Sequence, residues 1–435
     1  MKTIYTTFFC LMAVLCVTSC MDKLTEAQDM NSPIYLDYET LRSSVQPAAA
    51  RPLVHPGKIY FKDNYLLIVE QWEGIHLIDV SNPANPQNKL FIEVPGCRDI
   101  AVKNNSLYVD SYVDLVTVDL SDSMHPKENS RLKDVFPYTI PSPENPKLPY
   151  AEVDQKNGIV VGWEVKREKR ELERRYYPTY PIYDSYYYSS RYGVSADFAS
   201  TASAPGGSSS SVASFGKSGS MARFGLYDKY LYIADNYLLY MYNVENAATP
   251  VSAGKQSLNG MIETLFVYDD HLFFGTPNGM LVYGLQVPSA PSFKNWFWHI
   301  TSCDPVVVQD SCAYITLRGG TACNNSTVNR LDIVECSESY TKYSLINSYN
   351  LTGPYGLGID GNRLFVCDGG AGLKVYDVTN KQDIDLIVSF PAIQTYDVIP
   401  VEGYLFMIGD DGFYLYDYSD IQNVRQIGHI PVVKE

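Results

Sequence analysis

The sequence lacks most of the short motifs by which enzymes and metalloproteins announce themselves. There is no Cys-x-x-Cys pair, and the six histidines (His55, His76, His125, His271, His299, His429) are scattered, so no zinc-ligand spacing exists. No G-x-S-x-G elbow, HExxH, P-loop lysine or complete calcium loop is present. These absences give no support for a metal ion, a cofactor or a nucleophilic hydrolase. Positive charge is also scarce: 34 Lys and Arg stand against 49 Asp and Glu, a formal net charge of −15. Such a chain repels phosphate backbones, which argues against general nucleic-acid binding. Tryptophan is rare at 4 copies while tyrosine reaches 36. Tyrosine suits half-buried strands, with the ring packed and the hydroxyl wet.

After the N-terminal segment no apolar run is long enough to cross a bilayer as a helix. Lys2 followed by the apolar run Ile4 to Val17 reads as a signal segment, residues 1–19. It ends Val17-Thr18-Ser19-Cys20, which resembles a bacterial lipobox and marks Cys20 for lipidation. The expectation is an outer-membrane lipoprotein facing the periplasm or the cell surface, touching the membrane through acyl chains only. Residues 20–56 then read as the lipidated cysteine and a tether. Six cysteines remain in the mature chain, an even number in an oxidising compartment. Strand ends predict Cys312–Cys336, with Cys323 pairing to Cys303 or Cys367 and Cys97 left free.

The body repeats itself. Turn, strand, polar loop and strand ending in Asp or Asn recur at Asp63–Val80, Asn105–Leu120, Asp228–Val244 and Gly361–Val378. Asp79 to Asp119 is 40 residues, Glu335 to Asp377 is 42 and Asp377 to Asp417 is 40. A period near 40 built from β-branched and aromatic runs predicts an all-β chain, a β-propeller of about eight four-stranded blades over 57–435, with seven possible. The third unit is too long, since Asp119 to Asn243 is 124 residues. Its excess, about 166–219, holds a charged run, a tyrosine-rich stretch and a Gly/Ser segment. It reads as an insertion in blade three.

The phrase Leu77-Ile78-Asp79-Val80-Ser81-Asn82-Pro83 resembles the LVIVD-repeat family of secreted bacterial proteins, with looser copies at Asp119–Asp122 and Asp377–Asn380. The resemblance implies a propeller in the cell envelope and transfers no catalytic residue.

In a propeller the innermost strand of each blade lines a channel. Residues opening those strands are Arg98, Asp99, Glu152, Arg223, Glu263, Asp304, Tyr355, Tyr396 and Asp397. Together they predict a ring of ligand-binding candidates at one channel mouth. The plainer reading is a wet mouth whose charges pair with each other. Trp72, Glu73, Trp163, Glu164, Arg318-Gly319-Gly320 and Asp368-Gly369-Gly370 fall on the same loop face and suit a protein or glycan partner. The rival expectation is an envelope enzyme acting on polysaccharide through the mouth carboxylates.

Overall fold

The computed structural model describes residues 25–171, 180, 216–299, 305–320, 327–337, 339–391 and 393–433. The predicted signal segment and Cys20 lie outside them, as do Asp304, Cys303, Cys323 and most of the tyrosine-rich insertion. No described helix is long and apolar enough to cross a membrane. The chain divides into two compact units, one from residues 39–138 and 183–435, the other from residues 1–38 and 139–182.

The first unit is a β-propeller of seven blades, not eight. Each blade is an antiparallel sheet with strands a to d running outward. The a strands are Pro56–Lys62, Ile100–Lys103, Phe224–Tyr227, Thr264–Tyr268, Val306–Gln309, Leu357–Asp360 and Thr395–Val401. Each touches the next, and the seventh touches the first, so the ring closes. In blade 3 one continuous run, Tyr230–Asn243, supplies both b and c by turning at Asn236, whose φ is 52°. The Val244 N–H donates to Lys229 O there, as Val80 does to Asn64 in blade 1. Blade 1 gains an outer fifth strand, Gln46–Ala49, paired to Gln87–Glu93. Between these small sheets lie the cores. Leu67, Leu77, Val109, Val116 and Leu231 are among the fully buried residues joining the first three blades. No single sheet covers both of its own faces, so blade-on-blade packing supplies most of the burial.

The repeated phrase has a local cause. At the end of strand c, Asp79 accepts bonds from the Ser81 N–H (3.0 Å) and hydroxyl (2.6 Å). Asp119 accepts from Ser121 N, Asn243 from Glu245 N, Asp377 from Thr379 N and Asp417 from Ser419 N, all at 2.8–3.0 Å. Three residues further on, Asp122, Asn246, Asn380 and Asp420 cap a second turn in the same way. A short side-chain acceptor two residues before the N–H it caps closes a tight turn. The Asp/Asn-x-x-Asp/Asn spacing is therefore the c–d connection of blades 2, 3, 6 and 7, with its first half repeated at Asp79 in blade 1.

The described strand of the third, overlong repeat forms no blade. Residues Ile159–Glu171 form a strand, but its partner is Thr25–Leu36, in register Leu36↔Ile159 to Thr25↔Glu171. This ribbon belongs to the second unit. The stretch read as a tether up to residue 56 is thus ordered from Thr25: a strand, then a short helix Tyr38–Ser43, then Gln46–Ala49. Inside the second unit Asn31 is buried and its amide donates to Asn145 O (3.0 Å) and Leu148 O (3.1 Å). Trp163 donates to Pro141 O at 2.7 Å and packs edge-on against Tyr150.

The predicted Cys312–Cys336 bridge is not formed. Cys312 pairs with Glu335, and Cys336 lies one position beyond. Successive strand residues point to opposite faces, so the two side chains diverge. Cys312, Cys336, Cys367 and Cys97 are all free and buried.

Candidate functional site at the channel mouth

The upper rim of the ring carries the d–a and b–c loops. A second recurring device builds it. The carboxylate ending strand b reaches back to the N–H groups that precede strand a. Asp110 accepts from Arg98 N (2.7 Å) and Asp99 N (3.0 Å). Asp368 accepts from Thr352 N and Gly353 N, both at 2.8 Å. Glu70 accepts from Val54 N (3.2 Å), from His55 N, and has the buried His76 Nε2 at 2.9 Å. Burial pushes the Glu70 carboxyl up, but the bonds from His76, His55 and Val54 outweigh it and hold the group below the usual carboxylate range.

Three of the predicted residues converge. Asp99 is bound by Lys58 Nζ at 2.9 Å, both side chains nearly fully buried, and accepts the Arg223 N–H. Arg98 Nε lies 2.7 Å from Asp110, and Arg223 Nη1 lies 3.6 Å from Asp235. All six line one small cavity. At its edge the Arg98 guanidinium stands 5.7 Å over the Trp72 ring, which stacks on Tyr112.

Across the mouth, the Arg318 guanidinium lies 3.8 Å over the Tyr355 ring, and Tyr355 meets Tyr396 edge-on at 5.1 Å. The Tyr396 hydroxyl donates to Asp410 at 3.3 Å. Burial lowers the Arg318 pKa and raises that of Tyr396. Asp397 is buried beside them and Glu263 is buried at the head of blade 4. Glu152 is a correction: it sits exposed in the second unit, because the strand that follows it, Ile159–Glu171, pairs with Thr25–Leu36 and not within a blade. Asp304 lies outside the described residues.

What sequence reasoning missed is in the centre. Residues 216–222, read as the last residues of the blade-three insertion and the first of the next blade, run through the ring. Lys217 and Ser218 pair antiparallel with Phe61 and Tyr60 on the inner edge of blade 1. Gly216 N donates to Val102 O of blade 2 and Gly219 N to Ile59 O of blade 1. Lys217 Nζ donates to Pro400 O of blade 7 at 2.9 Å. Ser220 accepts from Leu357 N of blade 6 at 2.6 Å and donates to Asp397 of blade 7 at 3.1 Å. Small residues are required here: a Cβ on Gly219 would sit 2.1 Å from Asp397 Oδ2, and one on Gly216 would sit 2.3 Å from the Tyr60 ring. The Gly-Lys-Ser-Gly-Ser composition that suggests a linker is the composition that fits a narrow channel. Lys58, Asp110 and Asp235 were also missed as site residues, although Asp110 and Asp235 end strand b in the repeat.

Comparison with known proteins agrees with this architecture. No curated protein matches the chain. Among solved structures, the periplasmic gluconolactonase PpgL of Pseudomonas aeruginosa is similar at TM-score 0.50 and 9% identity, over 89% of this chain and 96% of that one. A protein from Lactobacillus plantarum is similar at TM-score 0.49 and 10% identity, over 87% and 97%. PorZ, a bacterial surface component of the type-IX secretion system of Porphyromonas gingivalis, is similar at TM-score 0.46 and 10% identity, over 89% of this chain and 40% of PorZ. At these identities the likeness to PpgL concerns the fold alone. The LVIVD repeat matches residues 57–92 and 96–134, which are blades 1 and 2, so the chain carries LVIVD repeats on a seven-bladed β-propeller.

Proposed function

We propose that this protein is a binding or scaffolding lipoprotein of the bacterial cell envelope, anchored through Cys20, that engages a protein or glycan through its upper rim. One observation carries the reading: the chain's own residues 216–222 occupy the centre of the ring, leaving the rim as the contact surface. Half-buried Trp72 and Tyr112 stand there beside Arg98, and half-buried Tyr355 and Tyr396 beside Arg318. Such rings offer large rigid area at low entropic cost to a sugar face or a protein anchor. The rim carboxylates Asp99, Asp110 and Asp368 are held by Lys58, Arg98 and Lys374, an arrangement suited to holding loops more than to exchanging protons with a substrate.

The test is a glycan array on the soluble body, run beside a hydrolysis screen on the same glycans. Saturable binding without turnover is expected. Turnover would overturn this reading in favour of an envelope enzyme. For the anchor, Cys20→Ala should release the protein from membranes, since acyl burial supplies about 0.8 kcal/mol per CH₂. Retention of that variant on membranes after a high-salt wash would refute the lipid anchor.

A further inference from the structure

Asp397 is the point where the channel segment meets the ring, and its surroundings are unusual. Its Oδ1 accepts the Ser220 N–H at 3.0 Å, the Ser220 hydroxyl at 3.1 Å and the Val398 N–H at 2.9 Å. Its Oδ2 is buried with no hydrogen-bond partner among the described residues, and no described salt bridge reaches the group. The residue is 2% exposed. It is wedged between two backbones, because a Cβ on Gly219 or on Gly356 would lie 2.1 or 2.3 Å from its oxygens.

The cations of the inner ring are engaged elsewhere. Lys58 pairs with Asp99, Arg223 with Asp235, and Lys217 donates to Pro400 O toward the opposite end. Titratable groups near Asp397 on blades 6 and 7 include the buried Cys367 thiol, Tyr355, Tyr396, Asp410 and Asp368, and the blade-6 cation Lys374 is engaged with Asp368 at 2.6 Å. Arg318 lies over Tyr355 and not against Asp397 in any described bond.

We propose that Asp397 and the Gly219–Met221 turn form a proton-dependent clasp: the neutral carboxyl seals the channel segment against blades 6 and 7, and ionisation loosens it. The physical reason is desolvation. A carboxylate here would be a buried charge with three hydrogen bonds and no counter-ion, whereas the neutral acid is tolerated. Burial accordingly pushes the Asp397 carboxyl up to about 7, against the bonds from Val398 and Ser220 that pull it down. When the turn swings free, the carboxyl is solvated and titrates near its ordinary value of about 4.

The sign follows. The closed form is favoured fully below about pH 4, where both forms are protonated. Its advantage falls about tenfold per pH unit between about 4 and about 7, then levels off. The clasp is therefore tight in acid and loosest from neutrality upward, with Ser220 and Leu357 losing their shared contact as it opens.

Hydrogen exchange at the Ser220, Met221 and Leu357 amides, followed from pH 5 to 9 on the full propeller, tests this. Base-catalysed exchange from a fixed opening equilibrium accelerates about tenfold per pH unit. Below pH 7 these three amides should accelerate about a hundredfold per unit, returning to tenfold above it. Lower-rim amides such as Ser81 and Thr379 should keep the tenfold slope throughout. Asp397→Asn, which keeps the shape without the titration, should restore the tenfold slope at all three. An equal slope in wild type and variant would overturn the proposal. If the variant fails to fold, difference infrared spectroscopy on the wild type decides. Loss of a buried protonated-carboxyl carbonyl band near pH 7 supports the clasp, and a spectrum with no such band overturns it.

Discussion

The two rims of the propeller are built from the same residue types to different ends. On the lower rim, the Asp or Asn ending strand c closes an Asx-type turn in blades 1, 2, 3, 6 and 7, always with the N–H two residues on. On the upper rim, the acid ending strand b reaches across to another loop, and its other partners differ: His76 for Glu70, Arg98 for Asp110, Lys374 for Asp368. The lower contacts are local and interchangeable. The upper ones join loops 6 to 16 residues apart, and their side-chain partners differ from blade to blade. Repetition marks the rim that makes the fold, and divergence marks the rim we propose to engage a partner.

Substitutions sharpen that contrast. The largest effect is expected at Lys58→Ala, which strands Asp99 in a buried site. Removing one partner of such a pair costs about 3–5 kcal/mol, measurable by denaturant unfolding. Next is Glu70→Gln, which weakens bonds to three groups and should cost about 1.5–3 kcal/mol at neutral pH. Because the folded Glu70 pKa is lowered, its contribution exists above the unfolded value of about 4.3 and is lost as pH falls through the folded one. The variant should therefore approach wild-type stability in acid, and a stability deficit constant down to low pH would refute the assignment. Gly219→Ala forces a methyl onto Asp397 and should cost about 1–3 kcal/mol, read as a lowered Tm. Asp79→Ala on the lower rim removes one local turn acceptor and should cost only about 1 kcal/mol. A loss at Asp79 as large as that at Lys58 would abolish the distinction between the rims.

The same contrast explains what the sequence disclosed. Local devices are periodic, so the 40-residue repeat, the four-strand blade and the position of the c–d turn could be read directly. Arg98, Asp99, Arg223, Tyr355 and Asp397 were placed at the channel mouth because each opens an innermost strand. The blade count went astray at Ile159–Glu171, whose strand character is plain but whose partner, Thr25–Leu36, is more than a hundred residues away. The cysteine pairing failed by one register position, and at period two a single step reverses the face. Residues 216–222 gave no signal at all, since small polar residues chosen for a tight passage look the same as those chosen for freedom.

The threaded segment also constrains the order of assembly. Ser220 bonds to groups 137 and 177 positions further along the chain, at Leu357 and Asp397. During synthesis, blades 1 and 2 emerge first and offer Ile59, Tyr60 and Val102 to the segment. Blades 6 and 7 must then be laid around an axle already in place, because a finished wheel would have to be threaded. Non-local contacts of this span slow folding and lengthen the life of an open ring with unpaired inner edges. A chain permuted to begin at blade 3 would lack its hub partner until the last two blades were made, and slow closure with aggregation is the expected result.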